Sequence, residues 1–189
     1  MRSSGSHELV HDEVSSLNAP PGEQEIRPER PNDIEAIRQV VESAFHGMPY
    51  ADGDEAGLVE KLRSQNALTV SLVAERDGTI VGQVAFSPAR TSAADPGWYA
   101  LGPVAVLPAH QGSGIGSALV RAGLQAIDDL GASGCILTGS PAYYARFGFA
   151  VAHESAPPGE PPEYFMVKLL RGELPAGPIH FHEAFGHAA

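Results

Sequence analysis

The feature that most constrains this chain is a strand, a glycine loop and a helix in direct succession. Trp98–Leu107 (WYALGPVAVL) is apolar and β-rich, and Gln111-Gly112-Ser113-Gly114-Ile115-Gly116 follows it closely. From Ile115 onward, Ala118, Leu119, Ala122, Ala126, Ile127 and Leu130 mark one face of a helix, and Gly131 is a suitable stop. The first amides of a helix have no intrahelical acceptor, and the helix dipole favours negative charge beside them. Glycines before such a helix let the backbone approach a bulky anion without an intervening Cβ. Gly112, Gly114 and Gly116 therefore read as the wall of a phosphate cradle, although glycines alone also suit a tight turn that binds nothing.

Two familiar cradles fit badly. A P-loop requires Lys then Ser or Thr after its last glycine, and Gly116 is followed by Ser117-Ala118. A dinucleotide fingerprint beginning at Gly112 would need its third glycine where Ser117 stands. Its acidic partner is also missing, since Asp128 and Asp129 fall within the helix.

The flanking sequence implies a mixed sheet. Gln24–Arg27 is a short first strand. Ile34, Ile37, Val40, Val41, Ala44 and Phe45 have helical spacing behind Asn32 as N-cap. A second helix around Asp54–Ser64 carries Leu58, Val59 and Leu62. Two β-rich runs meet at Asp77-Gly78, a strong hairpin signal. After the glycine-loop helix come a buried strand at CILTG (Cys135–Gly139) and a short helix opened by Ser140-Pro141 and ended by Gly148. Closing strands are expected in YFMVKLL and GPIHFHEAF, the second with His180 and His182 on one side. Hairpins followed by strand–helix–strand–helix define an α/β (mixed α+β) sheet with helices on both faces. Residues 1–23 read as a flexible tail rich in Ser, Pro, Gly and Glu, leaving 24–189 as a single domain.

Charge and cysteine usage narrow the function. The net charge of −11 and the lack of a Lys/Arg run argue against a nucleic-acid partner. No apolar run approaches the roughly 20 residues that span a bilayer, which argues against a membrane partner. A lone cysteine, Cys135, and an N-terminus without a secretory signal favour the cytoplasm. Cys135 reads as packing in a buried strand, and the paired histidines lack further ligands, so no metal is expected.

One pattern fits the loop position for position: Gln/Arg-x-x-Gly-x-Gly/Ala. With Gln111–Gly116 matching it, the chain resembles the GNAT superfamily of acyl-CoA-dependent N-acetyltransferases. A second stretch, PAYYARFGF (Pro141–Phe149), resembles that family's Tyr-x-x-x-Gly-Phe segment, with Tyr144, Gly148 and Phe149 in the defining places. The wider string is most similar to the bacterial YhbS-like branch, over about Glu25 to Gly186.

The resemblance implies a central mixed, mostly antiparallel twisted sheet and acetyl-CoA as acyl donor. It implies that Gln111, Gly112, Ser113, Gly114, Ile115, Gly116 and Ser117 cradle the pyrophosphate. It further implies that Val104, Ala105 and Val106 offer backbone groups to the pantetheine arm, with an irregularity nearby that turns an amide towards the thioester. Pro103, which has no N–H, is compatible with a local break in pairing.

Acetyl transfer to an amine needs a neutral nucleophile, although a free alkylamine has a pKa of about 10.4. It also needs a donor for the oxyanion and a proton for the departing thiolate. The resemblance implies that Tyr144 supplies this proton, and a phenol of pKa about 10 holds one at neutral pH. Tyr143, about 100° round the same helix, is not expected to face the same cleft. No acid or histidine lies in Trp98–Val106, so a base on that strand is absent. His46 and Glu55 are substrate-site candidates because the early helices line the acceptor site in relatives. The expected activity is acetyl transfer to a primary amine of a small molecule or peptide, by a monomer or homodimer; the alternative is a non-catalytic acyl-CoA-binding module on the same fold.

Overall fold

The computed structural model describes residues 24–49, 53–93 and 96–186; the expected tail, 1–23, lies outside them. Among the described residues seven strands form one sheet: β1 (Gln24–Pro28), β2 (Val70–Arg76), β3 (Thr79–Pro88), β4 (Trp98–Val106), β5 (Gly134–Thr138), β6 (Ala150–Val151) and β7 (Phe165–Leu169). Their spatial order is β1-β2-β3-β4-β5-β7-β6, and every pair is antiparallel except β4–β5. The β2–β3 hairpin turns on Asp77 and Gly78, both at positive φ (50° and 76°), as a two-residue turn matched to strand twist requires.

Side-chain alternation in the strands separates two cores. On one face, α1 (Ile34–Phe45) and α2 (Glu55–Ser64) cover Val73, Ile80 and Ala105 with Ile37, Val40, Val41 and Val59. On the other, α3 (Ile115–Asp129) packs Ile115, Leu119, Val120, Leu124 and Ile127 against Leu72, Val84, Phe86 and Leu101. The mid-helix Gly123 permits this approach: a Cβ there would stand 2.1 Å from the buried Phe86 ring. The inward face of α3 thus includes Val120, Gly123 and Leu124, while Leu130, expected on that face, is 58% exposed just beyond the last turn. Gly131 ends the helix at φ 83°.

Two local expectations need correction, and one strand has no counterpart in the sequence reading. Asn32 does not cap α1. It lies inside a 3₁₀ turn, Pro31–Asp33, and the Asp33 carboxylate accepts the Arg30 backbone N–H at 2.7 Å. GPIHFHEAF is not a strand, because Ile179 and Phe181 insert into a third apolar cluster with Trp98 and Phe165. Only His180 bridges, to Arg90, before a 3₁₀ turn at Glu183–Phe185 in which His182 Nδ1 accepts the Ala184 N–H. Finally, the two-residue β6 is too short to register as a period in the sequence.

A buried ion pair joins β1 to the start of α1. Arg27 reaches Asp33 at 2.7 Å and Glu75 at 2.6 Å. Its guanidinium holds the Asp33 carboxyl below the usual carboxylate range, assisted by the Arg30 amide. A carboxylate depressed in the folded state contributes stability above its unfolded pKa and loses it as pH falls through the folded value. Asp33→Asn is therefore expected to cost about 2 kcal/mol at pH 7. In thermal melts the gap from the parent should begin to narrow as pH falls below about 4, where the carboxyl of the unfolded chain takes up a proton, and close only once the depressed folded carboxyl is protonated as well; a gap of constant size would rule out the ion pair as its source.

Candidate active site

β4 and β5 pair only at Trp98–Gly134, Tyr99–Cys135 and Ala100–Ile136. Beyond Ala100 the parallel strands part, because β4 carries an irregularity. Val84 opposes Val104 and Phe86 opposes Leu101, so three steps along β4 match two along β3. This extra residue lies at Gly102-Pro103, where proline contributes no ladder donor.

A cleft of about 520 Å³ opens where the strands separate. Its floor includes Val104 and Val106, one end is the glycine loop with the first turn of α3, and the other side is the helix α4 (Pro141–Tyr144). That volume lies within the usual range for small-molecule sites.

The loop's glycines divide the work. Gly112 (φ 74°) and Gly114 (φ 87°) occupy left-handed conformations, with no atom near a prospective Cβ. Gly116 lies inside the helix, and a Cβ there would come 3.2 Å from the Tyr143 hydroxyl. Gln111 Nε2 donates to Val106 O at 3.0 Å and ties the loop to the end of β4, while Ser113 Oγ donates to His110 O at 2.6 Å. The amides at the start of a 15-residue helix therefore face an open space.

Of the residues singled out from the sequence, Val104, Val106, Gln111, Gly112, Gly114, Ile115, Gly116, Ser117 and Tyr144 line the cleft. Ala105 does not, because strand alternation turns its side chain into the α1 core. Ser113 and His46 are exposed and lie outside the lining, as does the half-buried Glu55. The end of α1 and the loop after it instead contribute Phe45 and Met48, apolar side chains without a chemical motif to mark them.

Tyr143 and Tyr144 both line the cleft, contrary to the helical-angle expectation. α4 is a single turn that passes into a 3₁₀ turn, Ala145–Phe147, and the two rings stand edge-on, 4.9 Å apart at 89°. A helix this short lying along a cleft can present adjacent residues to different parts of it. Tyr143 reaches the first turn of α3, whereas Tyr144 packs over Gly139, where a Cβ would meet the ring at 2.6 Å. His110 and Arg146 also line the cleft, and no carboxylate does among the described residues.

Elsewhere, burial pushes the Cys135 thiol up, far from the range of a reactive thiolate. The Pro-rich loop Ala156–Glu163 holds the buried Glu160, whose carboxylate accepts the Thr138 hydroxyl at the end of β5. Among the described residues no group of three or more His, Cys, Asp or Glu is placed to hold a metal, and no helix is long and apolar enough to cross a membrane.

Among the described residues a mostly antiparallel sheet splays at its parallel pair, β4–β5, and the glycine loop stands at the splay. The chain belongs to the GNAT acetyltransferase family, whose model matches residues 34–149. It is 34% identical to the uncharacterized N-acetyltransferase YhbS of Escherichia coli K12, over 85% of this chain and 97% of that protein. Its structure resembles a GNAT family acetyltransferase from Brucella melitensis in complex with acetyl-CoA (TM-score 0.78, 44% identity, 87% of this chain and 99% of that one). It also resembles E. coli YhbS in complex with CoA (TM-score 0.79, 31% identity, 92% and 97%).

Proposed function

We propose that the protein transfers an acetyl group from acetyl-CoA to a primary amine, by direct attack and with Tyr144 as general acid. One observation carries this reading: the glycine cradle and Tyr144 line a single cleft at the β4–β5 splay. The coenzyme complexes of the two similar structures support acetyl-CoA as donor.

The residues fit such a donor. Amides from Gln111 to Ser117 receive the pyrophosphate, and the edge of β4 turned away from β3 at Val104–Val106, where Gln111 Nε2 already bonds Val106 O, is available to the amide groups of the pantetheine arm. The irregularity at Gly102-Pro103 frees backbone from the ladder near the splay, where an amide can stabilise a developing oxyanion. In the balanced step the amine nitrogen bonds to the acyl carbon and the carbon–sulfur bond breaks. Tyr144 gives its proton to the sulfur, the amine loses one to solvent, and the Tyr144 phenolate takes one back from solvent before the next turnover. With no carboxylate in the described lining, the nucleophile is the neutral fraction of the amine, or an amine deprotonated through a water chain.

The same lack of a carboxylate favours, as a second reading, a binding module that holds acyl-CoA without turnover. Thiol release from acetyl-CoA, measured across polyamines, aminoglycosides, amino acids and lysine- or N-terminal-amine peptides, separates the two. Amine-dependent release with an acetylated product by mass is expected; coenzyme binding without release from any amine would favour the module.

A further inference from the structure

Among the described residues that line the cleft, one side chain carries a permanent positive charge, and it belongs neither to the glycine loop nor to the proposed acid. Arg146 lines the cleft, and its Cζ stands 4.6 Å over the ring of Tyr143. The Tyr143 hydroxyl in turn abuts the first turn of α3 at Gly116. Arg27, Arg38, Lys61, Arg63 and Arg171 are committed to carboxylates, whereas Arg146 forms no ion pair among the described residues.

This placement matters because the chain is acidic, with a net charge of −11. A coenzyme bearing several phosphate charges meets overall repulsion, and a helix N-terminus offers only about half a positive charge against it. A guanidinium supplies a full charge and a planar fork matched to phosphoryl oxygens. Stacking on an aromatic ring orients that fork before the ligand arrives.

We propose that Arg146, positioned by Tyr143, recognises a phosphate of the coenzyme from the wall of the cleft formed by α4 and the 3₁₀ turn after it. The phosphate is either the pyrophosphate or the ribose 3′-phosphate. The proposal rests on the cradle reading above and adds a charged wall to it.

Calorimetric titration of the full chain with CoA and with dephospho-CoA tests it. Arg146→Gln is expected to weaken CoA at least about 10-fold, and Arg146→Lys to recover part of that loss. Arg121→Gln removes an equal charge from a neighbouring groove, where Arg121 stacks on Phe147, and should stay within about 2-fold of the parent. If the Arg146→Gln loss persists with dephospho-CoA, the contact is to the pyrophosphate. If it vanishes, the contact is to the 3′-phosphate, and either result upholds the proposal.

Unchanged CoA affinity in Arg146→Gln would overturn it. So would an equal loss in Arg121→Gln, which would reveal diffuse charge rather than a contact. Gly114→Glu separates the two layers: lost binding there with full binding in Arg146→Gln removes this proposal alone, whereas full binding in Gly114→Glu removes the cradle.

Discussion

Gly114→Glu should abolish coenzyme binding, with a loss of at least about 100-fold in calorimetric affinity, while the chain stays folded. Gly114 sits at φ 87° immediately before α3, and no atom lies within 4 Å of a prospective Cβ. A side chain therefore has room, and the fold bears mainly the backbone cost of a left-handed non-glycine residue, about 1–3 kcal/mol. A carboxylate at this position is favourable to the helix itself, since it meets the positive end of the dipole. The damage falls on the ligand: the new carboxylate competes for the amides that would hold the pyrophosphate and repels its charge. Gly114→Ala introduces the backbone strain without the charge and should lose distinctly less affinity. Full affinity in the glutamate variant, with its fold verified by circular dichroism, would mean that the coenzyme does not use this loop.

Tyr144→Phe should lower kcat by about 10²–10⁴-fold, the usual contribution of general acid catalysis. The KM for acetyl-CoA should stay within about 3-fold, because the hydroxyl is used when the thiolate departs and not when the coenzyme docks. The ring is held by Gly139 beneath it and Phe149 at 6.1 Å, contacts that phenylalanine keeps. Tyr143→Phe supplies the contrast. Its hydroxyl faces the first turn of α3, so its removal should raise KM for the coenzyme more than it lowers kcat. Parental turnover in Tyr144→Phe would eliminate the acid role, and a kcat loss confined to Tyr143→Phe would exchange the roles of the two tyrosines.

Much of the fold was legible because its signals are local. Asp77-Gly78 specifies a turn through the φ values those two residues tolerate, and the α1 and α3 periodicities report a buried face wherever it lies. The closing segment misled because Ile179 and Phe181 alternate like strand residues, yet they fill a hollow beside Trp98 where no neighbouring strand edge is offered beyond Arg90. Glycine within α3 reads as a weak point in the helix, and only the position of Phe86 on the facing strand shows why it is needed.

For the candidate site, the proposed cradle was legible in the sequence alone. A backbone that binds an anion needs glycines at set positions before a helix, and that requirement is met within six consecutive residues, Gln111–Gly116. Tertiary structure decided which side chains surround it. Arg146 and both tyrosines share the cleft with the loop because α4 and the 3₁₀ turn after it lie along the splay, while His46, Glu55 and Ser113 stay outside and Ala105 faces the other core. Local conformation depends on residues a few positions apart, whereas the lining of a cleft depends on where separate elements come to rest against a shared core.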